Sequence, residues 1–168
     1  MSETIRILDQ LQRDHSGDPW HGSAVSDILR GVTADEAATR VAAHVHTVWE
    51  LVLHMTAWKR EVHKRLLGEP ATEPADGDWP QVGTITPERW TDALANLDAA
   101  HVALMAAVRQ LPESHLFEPT NDRRDRPLGT GVTRYVLLHG LIQHDAYHAG
   151  QIALLLKMVR SQERLPSG

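Results

Sequence analysis

Four stretches of the chain place apolar residues at the three- and four-residue spacing that forms one face of an α-helix. Each is followed by a polar segment containing glycine or proline, the residues that most often interrupt helices. Helices of this kind bury their apolar faces against one another. The sequence therefore predicts an all-α fold, a four-helix bundle with long crossover connections, and the 168 residues (1–168) are expected to form a single domain.

Capping signals indicate where these helices begin and end. Thr47 and Glu50 form a capping box pattern, and Thr86 followed by Pro87 is typical of a helix start. A second such box at Thr33–Glu36 and an apolar group near Val25–Leu29 predict short helices in the first connection. The four long helices are predicted at Ser2–Arg13, Thr47–Leu66, Thr86–Leu111 and Thr130–Met158.

Composition excludes several classes of function. The chain has no cysteine, so disulfides, thiolate nucleophiles and cysteine metal sites are excluded, whereas 11 histidines are available as ligands. The net charge is −5, and the one basic cluster, Arg123, Arg124 and Arg126, is interrupted by Asp125, which argues against a nucleic-acid partner. Neither a signal peptide nor a membrane span is evident, so we expect a cytoplasmic protein with no membrane partner.

His144 and His148 are the first candidates for chemistry. Residues four apart project side by side from one helical face, so two imidazoles at this spacing can share an ion. The pair is weakly specific by itself in a histidine-rich chain, and a third ligand is required.

His54 is the best candidate for that third ligand. It lies among the apolar residues Leu53, Met55 and Trp58, where an imidazole needs a partner. A core histidine bonded to a backbone carbonyl explains the pattern equally well. Neither a His-Glu-x-x-His nor a Glu-x-x-His motif is present, which favours a mononuclear site. Three imidazoles would leave a fourth position for water or substrate, as in catalytic zinc sites.

Two segments resemble the signature segments of the DinB/YfiT-like metalloenzymes. The first is Thr47–His54 with the following Ala57 and Trp58, and the second, more specific, is Gln143–Ile152. The resemblance extends to Asp18–Gly22 and to the acidic, proline-rich crossover that ends in Asp78–Pro80.

This resemblance implies a metal site and a range of reactions. Residue by residue, the ligands of that family correspond to His54, His144 and His148, and the metal is commonly zinc or nickel. It also implies a homodimer and a small-molecule substrate, with some members acting on low-molecular-weight thiols. The function expected first is therefore a thiol S-transferase with a metal-activated thiol. A metal-dependent hydrolase, a non-catalytic metal-binding stress-response protein and a purely structural bundle remain alternatives.

Other polar residues near these histidines have simpler explanations. Glu50 could act as a general base, but its place in the capping box explains it. Gln151 fits either a contact to a metal-bound water or an ordinary core glutamine. His101 is expected to be a buried histidine with a local partner, and His139 to point away from the ligand face. Asp145 and Tyr147 are turned off that face, which suits packing, an interface or an indirect role.

Overall fold

The computed structural model describes residues 2–123 and 132–163. In these ranges the regular secondary structure is helical, and one isolated antiparallel bridge joins Pro119 to Thr133. Six α-helices and a short 3-10 helix at Glu113–Phe117 are described: α1 (Glu3–Ser16), α2 (Val25–Leu29), α3 (Ala34–Ala38), α4 (Val48–Leu66), α5 (Pro87–Gln110) and α6 (Arg134–Glu163). The all-α class and the four long helices of the bundle are as the sequence predicts.

Local side-chain hydrogen bonds explain where the long helices begin. The Ser2 hydroxyl accepts the Ile5 N–H before α1, and the Thr86 hydroxyl accepts the Arg89 N–H before α5. Before α4, the Thr47 hydroxyl accepts the backbone N–H of Glu50, and the Glu50 carboxylate accepts that of Thr47. The capping-box interpretation of Glu50 is therefore confirmed.

The predicted bounds of the last helix are wrong. The predicted start, Thr130, lies outside the described residues, as do Arg124–Arg126 of the basic cluster, but the helix begins only at Arg134. The Thr133 hydroxyl accepts the Val136 N–H, so Thr133 lies at the cap and not inside the helix. At the other end α6 continues past Met158, where Arg160 donates to Glu36 at 2.7 Å.

The four long helices pack as a bundle around two apolar clusters. Helices α5 and α6 each contact both α1 and α4, while α2 and α3 cover one end. The first cluster includes Val48, Leu51, Leu97 and Ile152, together with buried residues of α2 and α3. The second cluster joins α1 to the opposite ends of α4, α5 and α6: Ile7, Leu11, Val62, Leu66, Leu104, Met105, Val108, Leu116, Leu138 and Leu141.

A layer of buried polar side chains lies between the two clusters. All four long helices contribute to this polar layer, which consists of Asp14, His15, Lys59, His101 and Asp145. Each of these residues is at most 5% exposed. Lys59 donates to the Asp145 carboxylate, and the rings of His15 and His101 stack at a centroid distance of 3.9 Å. The bundle therefore has a charged centre, which the apolar spacing of its helices does not indicate.

The outer face of α6 is partly apolar. Its large exposed side chains are Val136, Tyr147, Leu154 and Met158. Polar residues nevertheless interrupt the apolar sequence of this helix. Within residues 2–123 and 132–163, no helix is both long and apolar enough to cross a membrane.

Candidate metal centre

The bundle brings together the three histidines singled out in the sequence. His54 extends from α4 and His144 and His148 extend from α6, so the site joins two facing helices. One ring nitrogen from each lies within 4.8 Å of the other two. His54 and His148 are 5% and 6% exposed, whereas the side chain of His144 is 27% exposed and gives the cluster an open side. A cluster with this geometry could hold a metal ion.

The crossover connection fixes the orientation of His54. Its Nδ1 donates to the backbone carbonyl of Asp78 at 2.6 Å, which leaves Nε2 unprotonated. The Asp78 carboxylate in turn accepts the indole N–H of Trp58 at 2.7 Å. The neighbouring Trp79 stacks on the His54 ring at 4.0 Å, with an angle of 10° between the planes. The ring is thus held by both a hydrogen bond and an aromatic contact.

The two histidines of α6 also have a hydrogen-bond acceptor on the Nδ1 side of the ring. His148 Nδ1 donates to the side-chain oxygen of Gln151 at 2.6 Å. His144 Nδ1 faces a carboxylate oxygen of Asp145 at 3.4 Å. Acceptors on the Nδ1 side of metal-bound histidines select the tautomer that presents Nε2 to the ion. All three rings have such an acceptor.

The contact between His54 and His144 tests whether these residues fit a cation. Their Nε2 atoms are 3.0 Å apart. With both Nδ1 atoms protonated, each Nε2 carries a lone pair and neither has a hydrogen to donate. Two facing lone pairs repel each other unless a positive charge lies between them. Three nitrogen donors of this kind suit zinc or nickel, so the donor set fits a divalent transition metal.

Burial keeps two of the ligand candidates in the neutral form. It lowers the pKa of His54, although the hydrogen bond to Asp78 opposes the effect. It also lowers the pKa of His148 to about 4, again against the hydrogen bond to Gln151. Both imidazoles are therefore neutral near pH 7, and neutral imidazole is the form that coordinates metals.

His144 contacts a buried ion pair between Lys59 and Asp145. Burial raises the pKa of Asp145, but the ammonium of Lys59 and the hydrogen bond from His144 outweigh it, and the net pKa is lowered. Both side chains of the Lys59–Asp145 pair are 1% exposed. Asp145 is thus an ionised acceptor shared between Lys59 and His144. Of the three roles considered for it from the sequence, namely packing, an interface or an indirect role at the site, the structure favours the indirect role. Lys59 was not predicted from the sequence. It shares a helical face with the apolar residues Met55 and Val62, but a lysine at this spacing belongs to no recognised ligand motif.

A cavity of about 470 Å³ opens beside the cluster. His148 and Gln151 connect its lining to the three histidines, and Trp79 and Tyr147 contribute aromatic walls. A volume of this order is typical of sites for small organic molecules. The cluster and the cavity together could hold an ion and a substrate next to each other.

Of the remaining sequence candidates, Gln151 joins the site, and His101 and His139 do not. Gln151 orients His148 directly, so its side chain is committed to the ligand. His101 is buried, as expected, but the expected local partner is absent: both ring nitrogens lack a hydrogen-bond partner among the described residues, and the ring stacks on His15. Burial and the neighbouring His15 lower the pKa of His101 to about 3, so that it is neutral in the fold. His139 lies against Tyr135, away from the cluster.

The fold and the site define a helical bundle with a three-histidine cluster suited to a divalent ion. The chain belongs to the DinB superfamily, whose family model matches residues 20–152. Among solved structures it is similar to the "conserved protein of locus from Enterococcus faecalis", with 20% identity and a TM-score of 0.71 over 96% of this chain and 99% of that one. At this identity the likeness shows the fold alone. No match was found among proteins with curated descriptions.

Proposed function

We propose that the protein is a metal-dependent enzyme that uses a divalent ion, zinc or nickel, held by His54, His144 and His148. The observation that carries the proposal is the common orientation of the three rings, each with an acceptor at Nδ1 and with Nε2 directed into the cluster. A structural bundle does not need three such oriented imidazoles beside a cavity. The open cavity favours catalysis over a purely storage or stress-response role, because a closed site would admit no substrate.

The reaction proposed is transfer of a low-molecular-weight thiol to an electrophile. A bound ion supplies Lewis acidity that lowers the pKa of a thiol or of water. In the transfer, sulfur forms a bond to an electrophilic carbon, the leaving group departs with the bonding electrons, and the thiol proton passes to solvent. Since the chain has no cysteine, the sulfur must come from a second substrate. If water replaces the thiol, the same site is a hydrolase.

Metal binding is tested first. We expect one divalent ion per chain by metal analysis, and we expect the alanine variants of His54, His144 and His148 each to bind much more weakly. His115→Ala is the matched control, because this histidine lies in the 3-10 helix with an exposed side chain. Equal metal content in the control and in all three variants would refute the site.

The reaction is tested by supplying metal-loaded protein with several cellular thiols and model electrophiles. Metal-dependent consumption of thiol by the wild type, absent from His148→Ala, supports the transferase. Product formed without any thiol would assign the site to hydrolysis. Inactivity in every combination, with the ion bound, would favour the non-catalytic metal-binding alternative.

A further inference from the structure

The cavity beside the three histidines has two chemically different ends. His148 and Gln151 line the part where a substrate would meet the metal centre. Half of the remaining lining residues are aliphatic, namely Val45, Leu51, Leu154 and Leu155, and the others are His44, His46, Trp79 and Tyr147. Leu51 and Leu155 belong to the first apolar cluster, so this part of the cavity is continuous with the core. The polar and apolar ends thus impose an orientation on any occupant.

A flat aromatic wall completes the cavity. The imidazole of His46 stacks on Trp79 at 3.5 Å with parallel planes, and Trp79 in turn stacks on His54. The wall therefore leads from the surface to the metal centre. Tyr147 and Leu154, which also line the cavity, are 64% and 60% exposed. Flat apolar surfaces of this kind bind rings and alkyl chains.

The lining has no fixed charge. None of the cavity-lining residues in the described part of the chain is Asp, Glu, Lys or Arg. The nearby guanidinium of Arg40 is already paired with Glu50 at 2.7 Å. Away from the three histidines, a carboxylate or phosphate in the cavity would lose hydration without an Arg or Lys side chain in the lining to compensate, which is unfavourable. An uncharged substrate loses nothing of this kind and gains from burial of apolar surface.

We propose that the electrophilic substrate of this site is an uncharged, mainly apolar organic compound, with one polar group that faces the three histidines. The proposal rests on the proposed function for the metal centre, but it concerns the cavity, which can be tested separately. An enzyme for anionic metabolites would instead be expected to place Arg or Lys side chains around the body of its substrate, and this lining has none.

The first test uses metal-free protein and a neutral fluorescent probe, N-phenyl-1-naphthylamine. We expect one bound probe per chain, at least about fivefold weaker in Val45→Lys and within about twofold of wild type in Val102→Lys. Val45 lies in the connection before α4 at the cavity, and Val102 is an exposed residue of α5, so neither substitution disturbs the core. An equal loss of probe affinity in both variants would overturn the proposal. So would a wild-type protein that binds no probe, for example because a second copy of the chain covers the cavity.

The second test uses zinc-loaded protein and a hydroxamate series. Octanohydroxamate should bind at least about tenfold more tightly than acetohydroxamate, because its longer alkyl chain is buried. Suberic acid monohydroxamate carries a carboxylate at the end of its alkyl chain and should therefore bind no more tightly than acetohydroxamate. Its affinity should increase in Val45→Lys, where the new ammonium can pair with that carboxylate. Equal affinities across the series would overturn the proposal. Failure of every hydroxamate to bind, with the neutral probe still bound, would refute the metal centre and leave the apolar cavity supported.

Discussion

Replacing Lys59 by methionine tests the polar layer and its connection to the metal centre. Lys59 and Asp145 are each 1% exposed, so the variant leaves a carboxylate buried without its counter-ion. Removing one partner of such a pair typically costs about 3–5 kcal/mol. For a chain of this length, where 1 kcal/mol corresponds to roughly 2–4 °C, the expected loss in Tm is about 6–20 °C. The free energy of unfolding would be measured by urea denaturation followed by circular dichroism.

A double-mutant cycle isolates the interaction. Lys59→Met with Asp145→Asn removes both charges, and we expect it to be more stable than the sum of the single changes by at least about 2 kcal/mol. Arg6→Met is the matched control, since its pair with Glu3 lies on the surface of α1 and should cost less than about 1 kcal/mol. If Lys59→Met and Arg6→Met destabilise equally, the ion pair does not stabilise the core as argued. Asp145→Asn should also weaken metal binding about 10–100-fold through His144.

Three further outcomes are expected. A chelator should lower the Tm but leave the helical circular dichroism signal intact, because the apolar clusters do not depend on the ion; loss of all helical signal would contradict this. The free energy of unfolding should decrease as the pH falls from about 6.5 towards 3. The first value is the pKa of an imidazole in the unfolded chain, and the second is the lowered pKa of His101 in the fold, where the neutral form is favoured. His101→Leu should make this slope shallower by up to about 1.4 kcal/mol per pH unit, and an unchanged slope would exclude His101 as the cause. The exposed apolar residues of α6 that do not line the cavity, Val136 and Met158, should support a homodimer, with a dimer mass in sedimentation at micromolar concentration and a shift to monomer in Met158→Glu; a wild-type monomer would refute it.

The sequence predicted those parts of the fold that depend on neighbouring residues. The capping boxes at Thr33 and Thr47, and the cap and proline at Thr86 and Pro87, act within one helical turn, so their consequences can be inferred locally. The end of α6 was less accessible, because its residues after Val159 are polar, and Arg160, Ser161 and Gln162 are exposed. Its start was misplaced because Thr133 caps the helix and also forms a bridge with Pro119, a contact between distant residues that the local sequence does not indicate.

For the site, the spacing of His144 and His148 followed from helical geometry, while their meeting with His54 required the packing of α4 against α6. The acceptor at Asp78 could not be inferred, since it is a backbone carbonyl in a connection without regular structure, 24 residues from His54. Gln151 was considered in the sequence because it lies three residues after His148, but its contact with that ring depends on the rotamers of both. Long-range contacts thus account for most of what the sequence did not reveal.

The polar layer also bears on how the molecule opens transiently. Helices α2 and α3 contribute buried residues to the first cluster only, whereas α1 contributes to the second. An interior divided in this way can unfold locally at one end while the other end stays closed, and amide hydrogen exchange would then show different protection around the two clusters. The cavity and the three histidines adjoin the first cluster. Admission of a bulky compound would therefore require only the end with the first cluster to loosen, without global unfolding of the bundle.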